Sequence, residues 1–311
     1  MIRISLLCAL AMVARPDAGR DELFAAAVAL LAAGFLFRAA MRRGVASAPR
    51  DRPAGLPSSE DLSLPREAVM GLKGAAKLHV VLGEDGLFDD LDPGDGAAPD
   101  AALLDLVEAL NARVGTRVTI VSGRRRSIVE RWFRLTGAAC YAEHGAWRSG
   151  RPWRWERRVE AASAWTARVE SALTLIARAQ RRSLFEASDD CFTLTCCVDH
   201  DAARGRWIEE IRDRVDPLAK AEGAYVEYLR DRVVVRPRTH EKRNAVLDAI
   251  TARLPGEELL VVGRDRTEHD MLLSIVGHGA AVSVGRGVSS VPWALRDAAA
   301  VRRLLGALAS P

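Results

Sequence analysis

Four polar groups stand where apolar runs of this chain end, and together they could handle a phosphate ester. Asp85 follows the run Lys77–Leu82, with Gly83 and Glu84 between. A carboxylate there could protonate a leaving oxygen or help hold a cation. Ser122 follows the β-branched run Arg117–Val121 directly, and Gly123 behind it would let the backbone come close to a ligand. The Ser122 hydroxyl could bond a phosphate oxygen, or it could cap the helix that follows. Lys242 opens a helical pattern and is one of four lysines in an arginine-dominated chain. It could hold phosphate charge, or it could be a solvated surface lysine. A fourth cluster, Asp265, Glu268 and Asp270, follows the run Leu259–Val262.

Strand, helix and strand signals place these groups. Lys77–Leu82 reads as a buried strand, Asp100–Val114 as a helix and Arg117–Val121 as a second strand, the spacing of a parallel sheet. The pattern resumes with strand Val233–Val235, helix Lys242–Leu254, strand Leu259–Val262, helix Glu268–Ile275 and strand Ala280–Val284. Between them lie a helix Val159–Arg182, a strand Cys191–Val198, a helix Ala202–Glu222 and a strand Ala224–Leu229. The expected fold is therefore α/β, a parallel-sheet core (76–150 and 233–311) with an inserted α+β domain (151–232). Each core strand would end at the carboxyl edge, where open α/β folds place ligands.

Composition narrows the classes. A net charge of +4 on 311 residues is too small to argue for nucleic acid. Five cysteines form no CxxC pair and point to a reducing compartment. Adjacent Cys196 and Cys197 in an apolar run should face opposite sides of a strand. Residues 1–45 hold two apolar segments, Ile4–Ala14 and Leu23–Phe37, and arginines follow the second. Extended to Ala40, the second would reach about 27 Å, short of a hydrocarbon core of roughly 30 Å. Three readings stand: a membrane anchor with the rest of the chain in the cytoplasm, an amphipathic packing helix, or a cleaved signal. The Pro/Ser/Gly-rich stretch from Ala46 to Pro65 reads as linker, with the folded part beginning near Arg66 and the linker assignment carried to residue 75.

Taken in order, GEDGLF at Gly83, VSGRRRS at Val121, HEKRNAV at His240 and VVGRDRTEHDMLL at Val261 resemble the motif set of the haloacid-dehalogenase-like phosphatases. AEHGAW at Ala142, VVVRPRTHEK at Val233 and GRDRTEHD at Gly263 narrow the resemblance to the trehalose-6-phosphate phosphatase family, from about Lys77 onward. The resemblance implies a Rossmannoid core with a sugar-recognising cap and a magnesium-dependent phosphomonoester hydrolase. It also implies an aspartyl nucleophile two residues before a general acid. The acid falls on Asp85 and the nucleophile on Gly83, which has no side chain to attack with. A family metal-binding aspartate falls on Arg264, which repels a cation. Arg264 could partly replace magnesium in a metal-free pocket, or turn to solvent, or pair with Asp85 or Asp265. Asp265 remains as a weak metal candidate, and Glu268 stands where the family has aspartate. Glu84 is not expected to rescue the nucleophile, because a one-residue shift along a strand reverses the face. The Asp90–Asp92 pair lies in a loop. For the sugar, the resemblance nominates Glu143, His144 and Glu186, with His144 equally readable as structural. Ser188, Thr195 and Cys197 fall near the cap's usual Lys, His and Arg.

Three functions follow as expectations. The first is a catalytically degenerate module that binds a sugar phosphate, trehalose 6-phosphate or a relative, or regulates, needing no cofactor. It would lie in the cytoplasm, held at the membrane if residues 1–45 anchor it, with a trehalose-phosphate synthase as candidate partner. The second is a working magnesium phosphatase with unrecognised replacement groups. The third is a structural domain.

Overall fold

The structure is a computed structural model that describes residues 66–87, 98–150, 153–158, 160, 166–180, 183–197, 201–229, 232–264, 268–285 and 291–310. The expectations for residues 1–65, for Asp90–Asp92 and for Asp265 lie outside these. No helix among the described residues is long and apolar enough to cross a membrane.

A strand at the centre of the sheet, β1 (Lys77–Gly83), organises the larger of two sheets. It lies between β2 (Thr116–Val121) and β10 (Glu257–Arg264), parallel to both. Beyond β2 come β3 (Ala139–Ala142), parallel, then β4 (Trp147–Gly150) and β5 (Arg154–Arg157), antiparallel. Beyond β10 come β11 (Ala280–Val284) and β12 (Trp293–Leu295), both parallel. Connections thus leave β1 in opposite directions, which opens a crevice at its carboxyl end.

Burial on both faces explains the unbroken apolar runs. Leu78, Val80 and Leu82 pack with Leu103, Val107 and Leu110 of a helix Ala101–Ala112 and with Val301, Leu304 and Leu308 of the C-terminal helix Ala298–Ala309. Val81, on the opposite face, packs with Ala245, Val246 and Ala249 of the helix Arg243–Thr251 and with Met271, Leu272 and Ile275 of the helix His269–Ile275. Each fully buried Leu or Val contributes roughly 1.5–3 kcal/mol. Asp100 accepts from the Leu103 amide at 2.8 Å, and this cap makes Asp100 the residue before the first of these helices and not its first member.

The second sheet has the order β6–β7–β9–β8, from Ser183–Ala187, Phe192–Cys196, Arg232–Arg236 and Tyr225–Tyr228. All its pairings are antiparallel. Helices Thr166–Ala179 and Asp201–Glu222 cover it through Val169, Leu173, Trp207, Ile211 and Val215. Two expectations need correction. Val233–Val235 is a strand of this sheet and not of the parallel one, because its register is with Phe192–Leu194. Arg66–Gly74, assigned to the linker end, is a helix with Leu72 buried in the larger core. Cys196 is buried and Cys197 exposed, as strand alternation requires.

Candidate functional site

Register brings the ends of three strands level, Gly83 beside Val121 and Leu82 beside Val262. At Gly83 the chain turns at once into a short helix, Glu84–Leu87, so Glu84 and Asp85 overhang the carboxyl edge. From the next elements, Lys242 at the start of its helix and Glu268 just before His269 reach the same point.

Lys242 is buried, which excludes the surface-lysine reading. Its Nζ donates to Asp85 Oδ2 at 2.6 Å and to Glu268 Oε1 at 3.0 Å. Glu268 Oε1 also accepts from the Asp85 amide at 3.3 Å, and Oε2 from the Arg264 amide at 2.7 Å. The Glu268 carboxylate, 1% exposed, occupies the space that a side chain at residue 83 would need. A Cβ built on Gly83 would fall among its carboxylate atoms. Gly263 gives room on the other side, since a Cβ there would lie 3.0 Å from Glu268. The bare backbone at Gly83 and the seat of the Glu268 carboxylate are thus one arrangement.

Electrostatics follow from burial. Burial opposes the Lys242 ammonium, but Asp85 and Glu268 outweigh it and hold the lysine charged well above its ordinary range. Burial lifts the Glu268 carboxyl to about 7; Lys242 opposes the rise and Asp85 adds to it.

Ser122 caps no helix, since the next one begins at Arg126 behind an Arg125 cap. It is fully buried and its hydroxyl donates to the Glu84 carboxylate, which also accepts from Arg124 Nε. The strand alternation that should turn Glu84 away does not reach it, because β1 stops at Gly83. Glu84 therefore sits on the hydroxyl that sequence reasoning assigned to phosphate, and Asp85 and Glu268 sit on the ammonium. Glu84, Arg124 and the placement of Glu268 were not foreseen, since each depends on where a strand ends or a neighbour is missing.

Asp85, Gly123, His144, Glu186 and Lys242 line one cleft between the two sheets, with Ser188, Thr193 and Thr195 opposite. The cleft is small, about 80 Å³. Gly123 is required by His144, whose ring atoms lie 2.8–2.9 Å from where its Cβ would be. Glu143 does not line the cleft; it is buried and accepts from the Arg126 amide at 3.3 Å. Glu143 and His144 both have left-handed backbone, φ 52° and 55°, costing on the order of 1–3 kcal/mol each, strain of the kind that collects at functional sites. Burial, Arg236 and Lys242 push the His144 imidazole well below its ordinary range.

The resemblance implies magnesium at this point. That ion needs near-octahedral oxygen ligands, but the two central carboxylates are bridged by an ammonium, and residue 83 offers no oxygen beyond its backbone. Among the described residues no group of three or more His, Cys, Asp or Glu converges as a metal site. The described residues do not fit the ion.

Stability should report this cluster. Folded Glu268 keeps its proton up to about pH 7 against 4.5 unfolded, so its contribution falls as pH rises through that window. His79 and His240, lowered to about 4 by burial and neighbouring guanidiniums, act oppositely: their contribution falls as pH drops from 6.5 towards 4. Glu268→Gln is therefore expected to steepen the acid loss of stability in urea titrations between pH 4 and 7. An unchanged slope would contradict the buried, raised carboxyl.

A parallel sheet with its switch point at β1, crossed by polar groups at its carboxyl edge and interrupted by a second antiparallel sheet, defines a haloacid-dehalogenase-like core. The chain belongs to the trehalose-phosphatase family, whose pattern matches residues 85–300. It is similar to the Arabidopsis thaliana probable alpha,alpha-trehalose-phosphate synthase (UDP-forming) 11, 27% identical over 251 residues, 74% of this chain and 29% of that protein. The chain thus spans less than a third of that curated relative. Among solved structures, the C-terminal domain of Candida albicans trehalose-6-phosphate phosphatase matches with TM-score 0.69 and 20% identity, over 80% of this chain and 97% of that one. The C-terminal domain of the Candida albicans trehalose synthase regulatory protein matches with TM-score 0.62 and 14% identity, over 80% and 99%.

Proposed function

We propose that this chain is a catalytically silent member of its family that binds a sugar phosphate, trehalose 6-phosphate or a close relative, and acts by regulation. The observation that carries the reading is the Glu268 carboxylate lodged in the space of the absent residue-83 side chain. It is sealed from the cleft and both its oxygens are engaged, so it has no path to a phosphorus atom, and direct attack by water lacks the covalent route. Occurrence of this fold in a trehalose synthase regulatory protein agrees with a role without turnover. A synthase is the partner this suggests, and the cytoplasmic face the place.

Ligand entry needs change at two points. A cleft of about 80 Å³ is well under the roughly 300 Å³ of ordinary small-molecule sites, so the two sheets must separate. A phosphate must also displace Glu84 from Ser122. Calorimetry with trehalose 6-phosphate is expected to show saturable binding that magnesium does not alter, with no phosphate released. Glu84→Gln is expected to tighten binding about tenfold by removing the competing anion, worth roughly 1.4 kcal/mol. Phosphate release that disappears in Asp85→Asn would establish the hydrolase instead, and absence of heat with any sugar phosphate would leave a structural domain.

A further inference from the structure

Near the starts of β1 and β2, away from the cleft, lies a second cavity of about 310 Å³ between the core sheet and the helix Arg243–Thr251. Its size comes from the sequence of that helix: Ala245 and Ala249, one turn apart, and Ala252 just after it line the cavity where larger residues would fill it. The volume reaches the lower end of ordinary small-molecule sites.

Its polar lining is unevenly satisfied. His79, 4% exposed, has Nε2 at 2.9 Å from Thr119 Oγ1, while Nδ1 is buried without a partner. An orphaned buried nitrogen keeps an unrecovered desolvation cost. The acids nearby are already matched. Glu257 takes two bonds from Arg117, each 2.7 Å. Asp248 accepts from the Tyr141 hydroxyl at 2.7 Å and pairs with Arg158 at 3.0 Å. Arg148 remains, half-buried over the Tyr141 ring at 6.0 Å, with no carboxylate partner among the described residues. A guanidinium without a carboxylate partner and an imidazole with one unpaired nitrogen thus both line the cavity.

We infer that this cavity binds a small anion, the carboxylate or phosphate of a compact metabolite, with Arg148 supplying the charge and His79 Nδ1–H a hydrogen bond. This binding mode takes the tautomer in which the Thr119 hydroxyl donates to Nε2 and the neutral imidazole carries its proton on Nδ1. Burial and Arg117 keep the ring neutral in the free protein, so His79 offers an arriving anion a hydrogen bond and leaves the charge to Arg148.

Histidine-ring NMR on the full chain tests this, with inorganic phosphate and acetate added separately at constant ionic strength and His79→Gln assigning the resonance. The His79 signals are expected to shift saturably. Response to phosphate alone assigns the site to phosphoesters, and response to acetate assigns it to carboxylates. Arg148→Met should weaken binding roughly tenfold to a hundredfold, the loss of one charge-assisted bond. Ala249→Leu, which fills the cavity without removing a polar group, should abolish the shift and keep the fold. A His79 signal that neither anion moves, shifts confined to His144 in the cleft, or equal affinity in Arg148→Met would overturn the inference.

Discussion

Gly83→Asp is expected to destabilise the protein by about 3–5 kcal/mol and to give no phosphatase activity, although motif resemblance alone would put a nucleophilic carboxylate there. The new side chain would compete with the Glu268 carboxylate for the same buried space. If Glu268 yields, it leaves Lys242 and two backbone amides and must carry its charge elsewhere in the interior; if it stays, two carboxylates crowd one ammonium. Adding Glu268→Asp, one methylene shorter, should recover at least half the loss. Urea unfolding of the single and double variants checks both figures. Restoring Gly83→Asp with Arg264→Asp alone, the pair that motif comparison suggests, would leave this collision in place. A single variant as stable as the parent would show that Glu268 is not held where the hydrogen bonds put it.

Lys242→Met should cost a similar amount, roughly 3–5 kcal/mol, because it strands Asp85 and Glu268 without their shared cation. The deficit should depend on pH in a defined direction. Without the ammonium, the folded-state carboxyl of Glu268 rises further above its unfolded value, so the penalty grows as pH increases and shrinks near pH 5, where the acid takes up a proton. Unfolding at pH 5 and pH 8 separates this from simple loss of packing, which would give equal deficits. Glu268→Gln in the Lys242→Met background should remove most of the pH dependence.

How far the sequence could be read depended on burial. Val80–Leu82, Val118–Val121 and Leu259–Val262 are buried on both faces and therefore announce themselves as unbroken apolar runs. Arg154–Arg157 and Trp293–Leu295 are short and mostly half-exposed, and periodicity has too little length to register them. Val233–Val235 was legible as a strand but not as a member of the second sheet, since a hydrophobic run carries no record of its partner. The site divides in the same way. Asp85, Ser122 and Lys242 could be named because motif spacing points to them; Asp85 and Lys242 do meet, while Ser122 bonds Glu84 instead. That Glu84 would seat itself on Ser122, and Glu268 in the gap at Gly83, depends on the chain turning into a helix right after Gly83 and on empty volume. Neither is written in residue types.

Placing β1 at the centre of the larger sheet also has a consequence for biosynthesis. One neighbour, β2, follows within about forty residues, but the other pairs Leu82 with Val262. While the ribosome is still translating the segment between, the other edge of this mostly apolar strand has no hydrogen-bonding mate, although β1 to β5 and the second sheet can already pair. Late, long-range pairing of this kind slows folding and exposes an aggregation-prone edge. Nascent chains halted before Arg264 should therefore depend on chaperones far more than released ones.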